Sequence, residues 1–256
     1  MKIAIMIDGA FYLKRMKRIW GRMEPEQAAD KLCEYCRAHI ERSKMDNRNA
    51  ELYRIFYYDC PPTDIQSVYP ISKEPYIYLK FPASQWRIQF HQELTKKRKI
   101  ALRMGNMDQR NPKWNINEEQ LKRLLKREIS VDDLEDSDFF IDIRQKGVDM
   151  RMGIDIASVS YKKQVSQIVL ISGDSDFVPA AKLARREGVD VILDPLWQPV
   201  REDLFEHIDG LRSMIKDPKV YPEDHQIVHP HPKWKNKKKE MSMARILDSK
   251  RITSRP

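Results

Sequence analysis

Cysteine is scarce in this chain. Only Cys33, Cys36 and Cys60 occur among 256 residues, and an odd, low count supplies no disulfide framework. Long hydrophobic runs are also missing. The apolar stretch KIAIMI at 2–7 is one strand long, far short of a membrane span. It lacks the charged region, apolar region and cleavage site of a secretory signal. These absences predict a cytoplasmic protein that does not enter a membrane. No internal repeat is found, and no Ser–His–Asp pattern that would supply a nucleophile.

What is present is charge, unevenly spread. The net charge is +9, and residues 231–256 hold nine Lys or Arg against two Asp or Glu. That segment therefore carries +7 and the rest of the chain only +2. KRMKR at 14–18 and KKRK at 96–99 are basic, whereas VDDLEDSDFFID at 131–142 is acidic. Basic blocks of this kind suit a polyanion whose binding weakens with salt. A solvated basic tail gives the same composition without a ligand. The CEYC pair, Cys33 and Cys36, shares helical spacing with Ala29, Leu32 and Ile40. Free cysteine packs as a small hydrophobe, so a core face accounts for the pair better than a metal site does.

Strand and helix signals alternate. KIAIMID at 2–8, ELYRIFYY at 51–58, KIALRMG at 99–105, QIVLIS at 167–172 and VDVILD at 189–194 read as strands. Helices are expected near 11–19, 25–40, from Ser84 onward, at 119–127, from Gly147 to about 163, at 177–187 and at 202–215. Residues 61–82 and 106–118 read as irregular. Buried, nearly continuous apolar strands separated by helices predict an α/β fold with about five mostly parallel strands, covered on both faces. The domain is expected to span 1–217, with 218–256 a basic, flexible tail.

The aspartates fall at the ends of these elements. Asp8 ends the first strand, Asp149 opens a helix, and Asp174 and Asp176 lie in GDSD after the most apolar strand. In a parallel sheet these positions share one edge, where functional sites of such folds lie. If the first strand and the VLIS strand are neighbours, Asp8, Asp174 and Asp176 converge. Gathered carboxylates repel one another unless cations neutralise them, and oxygen-only donors favour Mg²⁺ or Mn²⁺ over zinc. Such ions activate water against phosphodiesters. Asp155, further along the helix of Asp149, is either a peripheral ligand, a residue that orients Lys or Arg, or a surface residue. Lys146 is a candidate phosphate contact, and Ser172 and Ser175 can donate hydrogen bonds. Asp59, followed by Cys-Pro-Pro, reads as a turn residue. Each aspartate alone could simply cap a helix; the set is more specific than any member.

IAIMIDGAF at 3–11, QKGVDMRMGIDIASVS at 145–160 and IVLISGDSDFVPAAKLARREGVDVILD at 168–194 resemble the NYN-domain proteins, a branch of the PIN-like nuclease superfamily that includes LabA-like proteins. The resemblance covers roughly 1–212 and is weakest between 61 and 135. It implies a PIN-like three-layer α/β/α fold, an acidic Mg²⁺ or Mn²⁺ site, and RNA as substrate. By resemblance Asp8, Asp149, Asp174 and Asp176 are catalytic metal ligands and Asp155 is a further acid of the site; Lys146 and Ser172, from their positions, are the expected substrate contacts. The family often has Asn shortly after the first Asp-Gly, where this chain has Ala10 and Phe11. The expected activity is endoribonucleolytic. A PIN-like RNA-binding scaffold with little turnover is the rival, and a homo-oligomer or protein partner stays open. A haloacid-dehalogenase-type hydrolase would need a second Asp two residues after its nucleophile, where Ala10 stands.

Overall fold

The computed structural model describes residues 1–107, 113–143 and 145–228. Its centre is a six-stranded parallel sheet. In chain order the strands are β1 (Lys2–Asp8), β2 (Glu51–Asp59), β3 (Ile100–Met104), β4 (Gln167–Ile171), β5 (Asp190–Asp194) and β6 (Gly210–Leu211). Their spatial order is β3-β2-β1-β4-β5-β6. Order therefore runs outward in both directions from the β1/β4 pair. That pair is the topological switch point of a doubly wound sheet, and the crevice beyond its carboxyl ends is where such folds bind ligands.

Burial on both faces explains the apolar runs. Ile3 to Ile7 of β1 and Ile168 to Ile171 of β4 are at most 1% exposed. Side chains alternate across the sheet. Ile3, Ile5 and Ile7 pack on one face with Tyr12 and Met16 of α1 (Gly9–Trp20), Leu32 and Tyr35 of α2 (Pro25–Asp46) and Phe90 of α3 (Pro82–Thr95). Ala4 and Met6 face the other way, against Met152 and Ile156 of α5 (Val148–Tyr161) and Ala181 of α6 (Val178–Arg186). The three layers are thus helix, sheet, helix. A short helix α4 (Glu118–Leu125) lies before α5, and α7 (Glu202–Phe205) after β5. Cys36 is buried on α2, Cys33 is partly buried there, and Cys60 is buried past β2; all three are free thiols, as the core reading of CEYC requires.

The structure departs from expectation at the periphery. The helix foreseen at 202–215 stops at Phe205, and Gly210–Leu211 adds the sixth strand by pairing with Ile192 and Leu193. Two residues carry no readable period, so only the neighbouring strand defines this edge. The segments read as irregular form antiparallel ribbons: Gln66–Val68 with Pro75–Ile77, Lys113–Ile116 with Phe139–Asp142, and Asn106–Met107 with Gln145–Lys146. α3 starts at Pro82 after Phe81, and Ser84 lies inside it with its hydroxyl buried and unpartnered. Pro at the first helical position explains the earlier start. Packing continues past 217: Ile227 pairs with Ile215 and is 7% exposed, and the Trp20 indole donates to the His225 carbonyl.

Candidate active site

β1 and β4 pair in parallel with Ile7 opposite Ile171, so Asp8 and Ser172 leave the sheet side by side. Asp8 ends β1 and caps α1, accepting the Phe11 amide at 3.1 Å. Gly9 follows because a side chain there would strike the Tyr58 carbonyl at 2.6 Å. Ser172, buried, donates to Asp8 at 3.4 Å and accepts the Asp174 amide at 3.2 Å. One hydroxyl therefore ties the first acidic segment to the second. Asp174 in turn caps the turn Ser175–Phe177 that leads into α6, accepting the Asp176 amide at 3.0 Å.

Asp149 arrives from the far face. Gly147 takes a left-handed conformation, φ 79°, and α5 begins at Val148. A non-glycine residue is strained there. Val148 and Met152 anchor the helix under β1 and β2, and the exposed Asp149 is left at its amino end. Gly105 makes that placement possible. A Cβ on it would meet the Lys146 carbonyl at 2.6 Å and the Val148 side chain at 2.9 Å.

Electrostatics show the convergence. Burial raises the Asp8 carboxyl above its ordinary value, the Phe11 amide partly offsets this, and the charges of Asp149, Asp174 and Asp59 raise it further. Asp149 is raised by burial and then by Asp174 and Asp176. The four acids therefore feel one another, with Asp176 joining through Asp149. Among the described residues no Lys or Arg forms an ion pair with any of them, and no group of three or more His, Cys, Asp or Glu stands gathered as a ready metal site.

The other expected residues sit differently. Asp155 gives its carboxylate to the Tyr58 hydroxyl at 3.0 Å and to Arg103 at 2.8 Å. It thus holds an Arg, which is one of the three alternatives open to it, beside a peripheral metal ligand and a surface residue. Lys146 is exposed on the ribbon that enters α5. Arg144, two residues before Lys146, lies outside the described residues. Phe11 packs over Gly173, whose missing Cβ would sit 2.8 Å from the ring.

Two buried acids stand outside the candidate set: Asp59, read in the sequence as a turn residue, and Asp194, not singled out there. Asp59 ends β2, is fully buried, and accepts from Arg87 through two nitrogens, from His91 at 2.9 Å and from the Cys60 amide at 2.8 Å. Asp194 ends β5, also fully buried, and binds Tyr35, His39 at 2.8 Å, Ser213 at 2.6 Å and the Leu196 amide at 2.8 Å. The i, i+4 spacing of Arg87 and His91 on α3 was the available signal for the first. Asp8, Asp59 and Asp194 thus occupy equivalent strand ends. Two are matched by buried partners, and the one at the switch point faces other acids.

The NYN domain family matches residues 63–195, just over half of the chain. The chain belongs to the NYN-domain family, within the PIN-like nucleases, and the parallel sheet flanked by helices is the fold expected of it. The match contains Asp149, Asp174 and Asp176, while Asp8 precedes it. A crystal structure of a protein of unknown function from Vibrio parahaemolyticus is similar over 84% of this chain and 94% of its own, at 15% identity and a TM-score of 0.40. No curated protein matches. Among the described residues no helix is long and apolar enough to cross a membrane.

Proposed function

We propose that this chain is a cytoplasmic, divalent-metal-dependent endoribonuclease of the LabA-like branch, hydrolysing RNA at Asp8, Asp149, Asp174 and Asp176. The observation that supports the reading is that the charges of Asp149 and Asp174 act on Asp8, and those of Asp174 and Asp176 on Asp149, at the switch point of the sheet, without a paired cation among the described residues. The burial and repulsion that raise Asp8 and Asp149 cost stability, so a positive ligand is the physical reason to keep these acids near one another.

The donor set fits Mg²⁺ or Mn²⁺: hard oxygens, several charges, and no thiol or imidazole at the cluster. When bound, such an ion supplies an activated water and charge stabilisation at the phosphate. Ser172 ties the Asp8 carboxylate to the Asp174 backbone amide, and this holds the two acidic segments together at the crevice. Ser172 is buried, so its role is this positioning, and contact with substrate falls to Lys146 at the rim. Asp155 fixes Arg103 beside the site.

A second reading, an RNA-binding scaffold with slow turnover, is favoured by Phe11, which lies over Gly173 where the family often has a polar Asn. One experiment separates the two. Asp8→Asn and Asp174→Asn are compared with nuclease-free wild type on single-stranded and structured RNA, with Mg²⁺, Mn²⁺ or chelator. Each variant is expected to lose more than about 100-fold in turnover, beyond the cost of losing an outer partner of a metal ligand, while RNA affinity persists. Folded variants that cleave as fast as wild type would sink the proposed centre. Absence of cleavage and of divalent-ion binding in wild type would replace it with the scaffold.

A further inference from the structure

Two of the three ribbons outside the main sheet, Gln66–Val68/Pro75–Ile77 and Lys113–Ile116/Phe139–Asp142, border an open groove of ≈ 750 Å³. Its walls are aromatic. Tyr69, Tyr76, Trp114 and Phe81 touch one another, with ring centroids 5.0–5.4 Å apart and the Tyr76 ring nearly perpendicular to both Tyr69 and Trp114. Phe140, on the strand paired with that of Trp114, also lines it and is 47% exposed. Glu74 and Asp136 also line the groove, and among the described residues no Lys or Arg does. Asp136 belongs to the stretch 131–142, which holds six acids and no base. Two of these acids, Asp133 and Asp138, cap local turns, and Glu135 is exposed.

Ring faces and carboxylates are both attractive to cations and favour the guanidinium or ammonium groups of a basic peptide. The same lining disfavours a phosphate backbone, since Glu74 and Asp136 would repel it. Past the last described residue the chain carries a segment of the matching chemistry. Residues 231–256 hold +7, and WKNKKK at 234–239 puts four of the nine cations beside an indole. We propose that the aromatic groove is the docking site for this chain's own basic segment 231–256. The tether does not limit it. From Val228 the remaining 28 residues can reach about 90 Å when extended, more than the width of a domain of this size. Tethering raises the local concentration of the basic segment to about millimolar, so weak charge pairs are enough to hold it at low salt. RNA would draw the same cations away, which makes the groove a competitor for them. The groove lies apart from the aspartates, so this inference does not rest on the nuclease reading.

The test is zero-length carbodiimide cross-linking of the full chain at low ionic strength, with the linked peptides mapped by mass. Lysines 235 and 237–239 are expected to join Glu74, Glu135 or Asp136 within one chain. The yield should fall at least several-fold in 1 M salt, in Glu74→Lys/Glu135→Lys, which are both exposed and leave the ribbons intact, and on adding RNA. Links spread evenly over surface acids, links concentrated at Asp149 and Asp174, or links found between two chains would overturn the proposal. So would photocross-linking of an oligonucleotide to Tyr76 or Trp114, which would give the groove to RNA.

Discussion

Asp8 shows how much a single position can cost. Its folded-state pKa lies above the ordinary carboxylate value, first because the group is buried and then because Asp149, Asp174 and Asp59 are near. A raised acid favours its protonated form in the folded protein. The penalty is therefore absent below the unfolded pKa of about 4 and complete once pH has risen through the folded value. Asp8→Asn keeps an oxygen to accept the Phe11 amide and removes the charge. Without metal it is expected to melt at a higher temperature than wild type at pH 7, with the difference closing near pH 3. Adding Mg²⁺ or Mn²⁺ should raise the wild-type melting temperature and leave the variant nearly unmoved. Calorimetry across pH and metal checks this. Equal stability at pH 7 without metal would remove the mutual repulsion from the account. Asp59 provides the contrast: Arg87 answers it, and although burial works against the Arg87 charge, Asp59 outweighs that and raises the guanidinium pKa.

At the scale of elements, the site depends on where α5 begins. The Gly147 turn and the close approach at Gly105 together let the ribbon Asn106–Met107/Gln145–Lys146 lie close to the end of β3. Gly105→Ala forces a methyl against the Lys146 carbonyl, which is backbone and cannot rotate away. Overpacking of this kind costs about 1–3 kcal/mol. The shift it forces also displaces the helix end that carries Asp149. The expected result is a lower denaturation midpoint together with weaker divalent-ion binding, read by titration of the folded variant. A variant with unchanged ion affinity would show that Asp149 is held by α5 alone. α4 shows a different element. Its Leu121 and Leu125 are exposed, and its helical period was readable although no core lies beneath it.

For the molecule as a whole, charge is divided between an almost balanced body and a basic end segment. If residues 231–256 bind RNA, a chain ending at residue 230 should bind more weakly. Its plot of log K against log salt should also be shallower, by about 0.7 for each phosphate that the shortened chain leaves unneutralised. Parallel titrations of the two chains over a salt series check this. Coincident slopes would exclude the segment from RNA binding. A truncated chain that binds RNA more tightly at low salt would be equally informative against it.

The sequence by itself determined the layers and the five main strands, because hydrophobic period and strand burial are local properties that survive without a structure. It also placed Asp8, Asp149, Asp174 and Asp176 at element ends, since each sits where an apolar run stops or a helix starts. Only the tertiary structure decided which ends meet. Strand order is not written in the succession of strands along the chain. The pairing of β1 with β4 is what brings residues 8 and 172 together. The same holds for the partners of buried acids. Asp59 and Asp8 look alike in sequence, each closing an apolar strand. Arg87 and His91 reach one of them and not the other, because α3 packs on the face toward which Asp59 points. The ribbons and the sixth strand were illegible for a related reason: segments of two to four residues have no period of their own, and their backbone hydrogen bonds are satisfied only by chain that lies far away in sequence.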